Sequence, residues 1–148
     1  MSLQDWLNNN WVKQHTSSAR EIKNLIGIAD RDLTQSQLPG LFSDTRFTIA
    51  YNAALQCCAA ALAASGYRVS REAHHYRLIQ SLQFTLNEDI SVIKLLDDFR
   101  RKRNISDYEI SGTISEKEAV EMHELAQQLR KRVVLWLRKN HPALAEGL

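Results

Sequence analysis

Residues 41–65 contain neither glycine nor proline, and most of the second half of that stretch is alanine or cysteine. Apolar spacing predicts a helix over residues 44–65, with Ser43 as its cap and Gly66 as its end. Phe47, Ala50, Tyr51, Ala54, Leu55, Cys58, Ala61 and Leu62 mark one face, while Ala53, Cys57, Ala60 and Ala64 keep the flanking faces small. A helix that is small on several sides admits close neighbours on several sides. It belongs in the middle of a bundle.

The rest of the chain supplies the neighbours. A short helix over residues 2–11 is weakly amphipathic through Leu3, Trp6 and Leu7, and Asn8 to Asn10 end it early. A helix over residues 19–37 opens at Ser18 and Glu21, which have capping-box spacing, and Pro39-Gly40 stops it. Its stripe is Ile22, Leu25, Ile26, Ala29 and Leu33. Residues 71–86 carry Leu78, Ile79 and Leu82; residues 88–103, with Asn87 as cap, carry Val92, Ile93, Leu96 and Phe99. Residues 104–114 read as a polar loop around Gly112. A second capping box, Ser115 with Glu118, starts a last helix whose Ala119, Met122, Ala126, Leu129, Val133 and Trp136 recur in steps of three and four. His141-Pro142 ends it. No strand signal competes. The expectation is an all-α, up-and-down bundle of four to five main helices plus a short N-terminal one, forming one domain over residues 1–148 with residues 1–16 peripheral.

With 148 residues the chain can close one hydrophobic core. A net charge of +2 neither requires nor excludes nucleic acid, although Arg100 to Arg103 form a consecutive basic run. The longest apolar run, residues 53–64, is too short and too alanine-rich to span a bilayer. The start MSLQDWLNNN has no basic region followed by an apolar one, so no secretory signal is expected. The only cysteines, Cys57 and Cys58, diverge by about 100° on a helix and are poorly placed to bond each other. A soluble protein of a reducing cytoplasm, without membrane contact, is the expectation. The five histidines show no metal-ligand spacing, no glycine-rich phosphate loop or nucleophile elbow occurs, and no cofactor or metal is expected.

Two segments carry candidate chemistry. His74 and His75 open the fourth helix, and adjacent positions point apart, so one ring should pack inward while the other meets solvent. An imidazole there is a packed helix start or a proton carrier near a phosphate or a subunit contact. The second segment runs from Asp97 to Tyr108. Cations suit a helix C-terminus, but Arg100 and Arg103 continue the stripe of Ile93, Leu96 and Phe99. At least one should face packed surface and need a partner, either Asp107 or an anionic ligand.

The run Arg-Lys-Arg-Asn-x-x-Asp-Tyr at residues 101–108, following a long helix, resembles the signature region of the HEPN family. The stretches at residues 44–54 and 64–68 and the His74-His75-Tyr76 helix start resemble the same family, in order and spacing, over about residues 18–142. The resemblance implies a helical bundle and a homodimer. It also implies that active members cut RNA without metal, through an Arg-x4–6-His motif shared between two protomers. Arg103 matches the motif arginine, but Tyr108 stands where active members have histidine, and no histidine follows within six residues of any arginine in this segment. A phenol with an ordinary pKa near 10 is a poor base at neutral pH. The departure favours a non-catalytic dimeric module that binds a nucleotide, RNA or a partner protein through Arg100, Arg103, Asn104, Asp107 and Tyr108, with His74 and His75 beside them. The alternative is a divergent ribonuclease of the toxin or defence kind, in which His74 or His75 replaces the missing histidine. A nucleotidyltransferase or an antitoxin is the protein partner the resemblance implies. A third reading has Arg103 and Asp107 as a packed ion pair only.

Overall fold

The computed structural model describes residues 1–108 and 111–148. In chain order it has α1 (Leu3–Asn8), β1 (Val12–Gln14), α2 (Ala19–Gln35), α3 (Ser43–Ala64), β2 (Tyr67–Val69), α4 (His74–Gln80) with a 3-10 turn (Ser81–Gln83), α5 (Ile90–Tyr108) and α6 (Glu116–Asn140). The fold is an all-α bundle, with one two-stranded ribbon as its minor element.

Helix α3 is the axis. Every residue expected on its inner face is buried, and Ala53, Cys57, Ala60 and Ala64 are buried too. Its alanines let the backbones of α2 and α6 approach closely, so these two helices make most of its contacts. On the remaining side Phe47 meets Phe99 of α5 edge to face at 5.3 Å. As a helix of 22 residues α3 is long and apolar enough to cross a bilayer, contrary to the length read from the apolar run alone. Yet 72% of its apolar window is buried within the bundle.

Several boundaries differ from the sequence reading, each for a local reason. The cap of α3 is Phe42, without a side-chain bond, because the Ser43 hydroxyl donates to Glu116 Oε1 at 2.7 Å instead. Asn87 does not cap α5; it takes a left-handed φ of 53°, and the Asp89 carboxylate accepts the Ser91 N–H at 2.9 Å. Helix α4 is only seven residues long, because the chain tightens into the 3-10 turn at Ser81. Most consequential, residues 104–108 are helical rather than loop, extending α5 by more than a turn past Arg103. Of the expected loop, residues 109 and 110 lie outside the described residues. Both predicted caps at Ser18 and Ser115 accept their helix N–H, and Ser115 and Glu118 complete the reciprocal pair. In α6 Trp136 is half-buried against His141, and Leu137 takes the core position.

The strands were not anticipated. β1 and β2 pair antiparallel, with Val12 opposite Val69, Lys13 opposite Arg68 and Gln14 opposite Tyr67. Gly66, at a φ of 96°, turns the chain out of α3 into β2, and its carbonyl accepts the His15 N–H at 2.9 Å. The ribbon ties α1 to the bundle, where Trp6 packs edge-on to Trp11 and Phe84.

Candidate functional site

The basic run at the end of α5 divides into paired cations and one that is held less completely. Asp97, buried on the α5 face, accepts from Arg100 Nε at 2.8 Å and from Arg101 Nη2 at 2.9 Å. Burial raises its pKa, but the two guanidinium hydrogen bonds outweigh that, and the carboxyl sits below its ordinary 3.8. Lys102 pairs with Glu118 and thereby ties α5 to the first turn of α6. Arg103 lies 3.0 Å from Asp107 Oδ2, an i, i+4 ion pair that the extension of α5 makes available. That contact is made by Nε, whose N–H does not point squarely enough at the carboxylate for a hydrogen bond, and Nη1 reaches Asn104 Oδ1 at 3.3 Å. Asp107 is shared in turn with Thr48 of α3, whose hydroxyl donates at 3.1 Å.

Tyr51 of α3 is the floor beneath this cluster. Its ring lies 5.6 Å from the Arg103 guanidinium and 5.9 Å from the His75 ring. Its hydroxyl is buried without a partner. Burial drives the phenol pKa up, against the pull of Arg103 and Arg100, so it stays protonated. His75 is half-buried on this floor, whereas His74 is exposed, 5.6 Å away between ring centroids. Burial, then the positive charge of Arg103, then His74 and Arg100, hold the His75 pKa below its ordinary 6.5. The inner imidazole is therefore neutral at pH 7.

An open groove of about 520 Å³ runs between α4 and α5, lined by Ala73, His74, His75, Tyr76, Arg100 and Asn104. Arg100 stands over the Tyr76 ring at 5.4 Å, and Arg103 also lies 5.6 Å from the ring of Tyr108, which is 74% exposed. Four of the seven residues singled out from the sequence thus line one groove. Arg103 is linked to it through Tyr51 and His75, and Asp107 and Tyr108 extend the same ridge along α5. Asp107 is held at that end by Thr48. Sequence reasoning missed Tyr51, Tyr76 and Thr48 as members. Tyr51 was legible only as a core residue, because its helical spacing matches the apolar stripe; Tyr76, adjoining the histidine pair, was the available signal for the groove.

Two other reactive-looking groups are inert. Burial pushes the Cys57 thiol up to about 12 and Cys58 higher than its ordinary value, so neither is a thiolate. Ser36 Oγ lies 2.8 Å from His123 Nδ1, but Ser36 donates its proton to the Leu33 carbonyl at 2.9 Å. With that proton on the Leu33 carbonyl, it is the Nδ1–H tautomer of His123 that donates to Ser36. No family model, curated protein or solved structure matches the chain.

Proposed function

We propose that the α4–α5 groove binds the phosphates and bases of short single-stranded RNA, and that the protein is a HEPN-like binding module working as a homodimer. The observation that carries this reading is the pairing of cation and aromatic ring at the groove, Arg100 with the 44%-exposed Tyr76, flanked by His74, His75 and Asn104. Single-strand sites combine positive charge for the backbone with exposed rings for base stacking. Asp97 engages Arg100 through Nε, leaving the outer N–H groups of the fork for phosphate. Asn104 adds amide donors and an acceptor for base or ribose.

One observation favours a second reading, ribonuclease. The neutral His75 can take the proton of a ribose 2′-hydroxyl as that oxygen attacks the phosphorus to form a 2′,3′-cyclic phosphate, the departing 5′-oxygen taking its proton from water, with the His74 ring 5.6 Å away on the solvent side.

Titration of labelled RNA pentamers with wild type, Arg100→Ala and Arg103→Ala, at two salt concentrations, tests the reading. Each variant is expected to lose about 1.5–3 kcal/mol of binding, roughly ten- to over a hundredfold, and to show a shallower salt dependence. Equal binding by all three, or none by wild type, removes the groove from RNA binding; a fall in melting temperature alone for Arg103→Ala would make it only the partner of Asp107. Cleavage by wild type that His75→Ala abolishes would establish the ribonuclease instead. Light scattering on the same samples checks the dimer, which a mass near 17.0 kDa at every concentration would contradict.

A further inference from the structure

A second cavity, of about 500 Å³, lies on the ribbon side of the bundle. That is within the roughly 300–1,000 Å³ typical of small-molecule sites. Its apolar lining comes from three helices, with Leu25 of α2, Ala59 and Leu62 of α3, and Leu78 of α4. Its polar lining is weighted to one sign. Lys13, Arg68 and Arg71 are permanent cations, against the single carboxylate of Glu21, which His15 already engages through Nε2 at 2.7 Å.

The placement of two of those cations is unfavourable on its own. Lys13 and Arg68 are directly opposed residues of an antiparallel pair, so their side chains share one face of the ribbon. Like charges directly opposite destabilise a sheet, and a ribbon of three residues per strand has little to spare. Among the described residues no carboxylate lies within ion-pair distance of Lys13, Arg68 or Arg71. An anion seated between them would remove the repulsion and gain charge-assisted hydrogen bonds.

We infer that this cavity binds a small amphipathic anion, an alkyl or aryl phosphate or carboxylate. Its hydrocarbon body lies on Leu25, Ala59 and Val69, the half-buried apolar residues of the lining, and its head group meets the Lys13–Arg68 pair and Arg71. The inference does not rest on the RNA reading, because the two sites share only His74.

Calorimetric titration of the full chain with octyl phosphate, octanoate, inorganic phosphate and octanol tests it. At least one of octyl phosphate and octanoate should bind, roughly tenfold or more tighter than both inorganic phosphate and octanol; which one binds better identifies the head group. Arg68→Glu should raise the melting temperature of the unliganded protein, since an opposed Lys–Glu pair replaces a like pair, and weaken octyl phosphate by roughly tenfold. Lys13→Gln, at an exposed strand position, should weaken it as well and provides the second variant should Arg68→Glu not fold. Failure of both amphiphiles to bind overturns the inference. So does equal binding by wild type and the folded variants, or binding of inorganic phosphate or octanol as tight as that of the amphiphiles.

Discussion

The two sides of α3 are built on different rules. Toward α2 and α6 its small side chains bring three backbones close together over a mostly apolar interface, crossed by the Asn52–Asp32 hydrogen bond at 2.6 Å. Toward α4 and α5 it presents Phe47 and Tyr51, whose bulk holds the neighbours further off. Into the resulting space come His75, Arg103 and a phenol hydroxyl without a partner. Close packing of small residues leaves little space between those helices except toward the ribbon, where the second cavity opens. Large aromatic spacers leave room and set a floor under it. The unpartnered Tyr51 hydroxyl and the Arg103 Nε, which meets Asp107 only as an ion pair, both lie on the spacer side.

The largest effect should come from removing a spacer. Phe47→Ala deletes a fully buried ring and the edge-to-face contact that holds α5, and should cost about 3–5 kcal/mol in urea unfolding. A loss below about 1 kcal/mol would mean that α5 docks through other contacts and that the spacer account is wrong. Asp97→Asn should cost less, about 1–3 kcal/mol, because two guanidiniums lose their shared carboxylate while the fold keeps its packing. The same carboxylate predicts an acid response. Its folded pKa lies below its unfolded one, so its contribution is fully present above the unfolded value near 3.8. That contribution is lost as pH falls through the lower, folded value. Wild type should therefore lose stability more steeply than Asp97→Asn below about pH 4; parallel curves would show that Asp97 is not the hub of this face.

How much of this was legible in the residues follows from where the determining forces lie. Helix α3 and its buried face were readable, because a long run without breakers and with a small-residue pattern has one good solution. The ribbon was not, since three residues per strand are too few to show alternation, and the pairing joins Val12 to Val69 across the whole α2–α3 hairpin. The helical state of residues 104–108 was hidden for another reason. Asn, Ser and Asp are weak helix formers, and here the Arg103–Asp107 and Thr48–Asp107 contacts override that preference. The candidate residues on α5 were identifiable from the interrupted stripe of Phe99, Arg100 and Arg103. The inward turn of His75 was expected for one of the two histidines, but which one depended on Tyr51, a contact between helices that sequence spacing does not encode.

The central claim, that the cluster on the aromatic side of α3 receives a phosphate, is tested most directly on the His75 ring. Its NMR titration in the free protein should have a midpoint below 6.5, because burial and the nearby arginines oppose its charge. A phosphate bound beside Arg100 and Arg103 would offset that repulsion, so adding a saturating RNA pentamer should move the midpoint upward while His123, buried against Ser36, keeps its own. A His75 midpoint that stays put on saturation with RNA, or that rises equally with His123, would contradict the account.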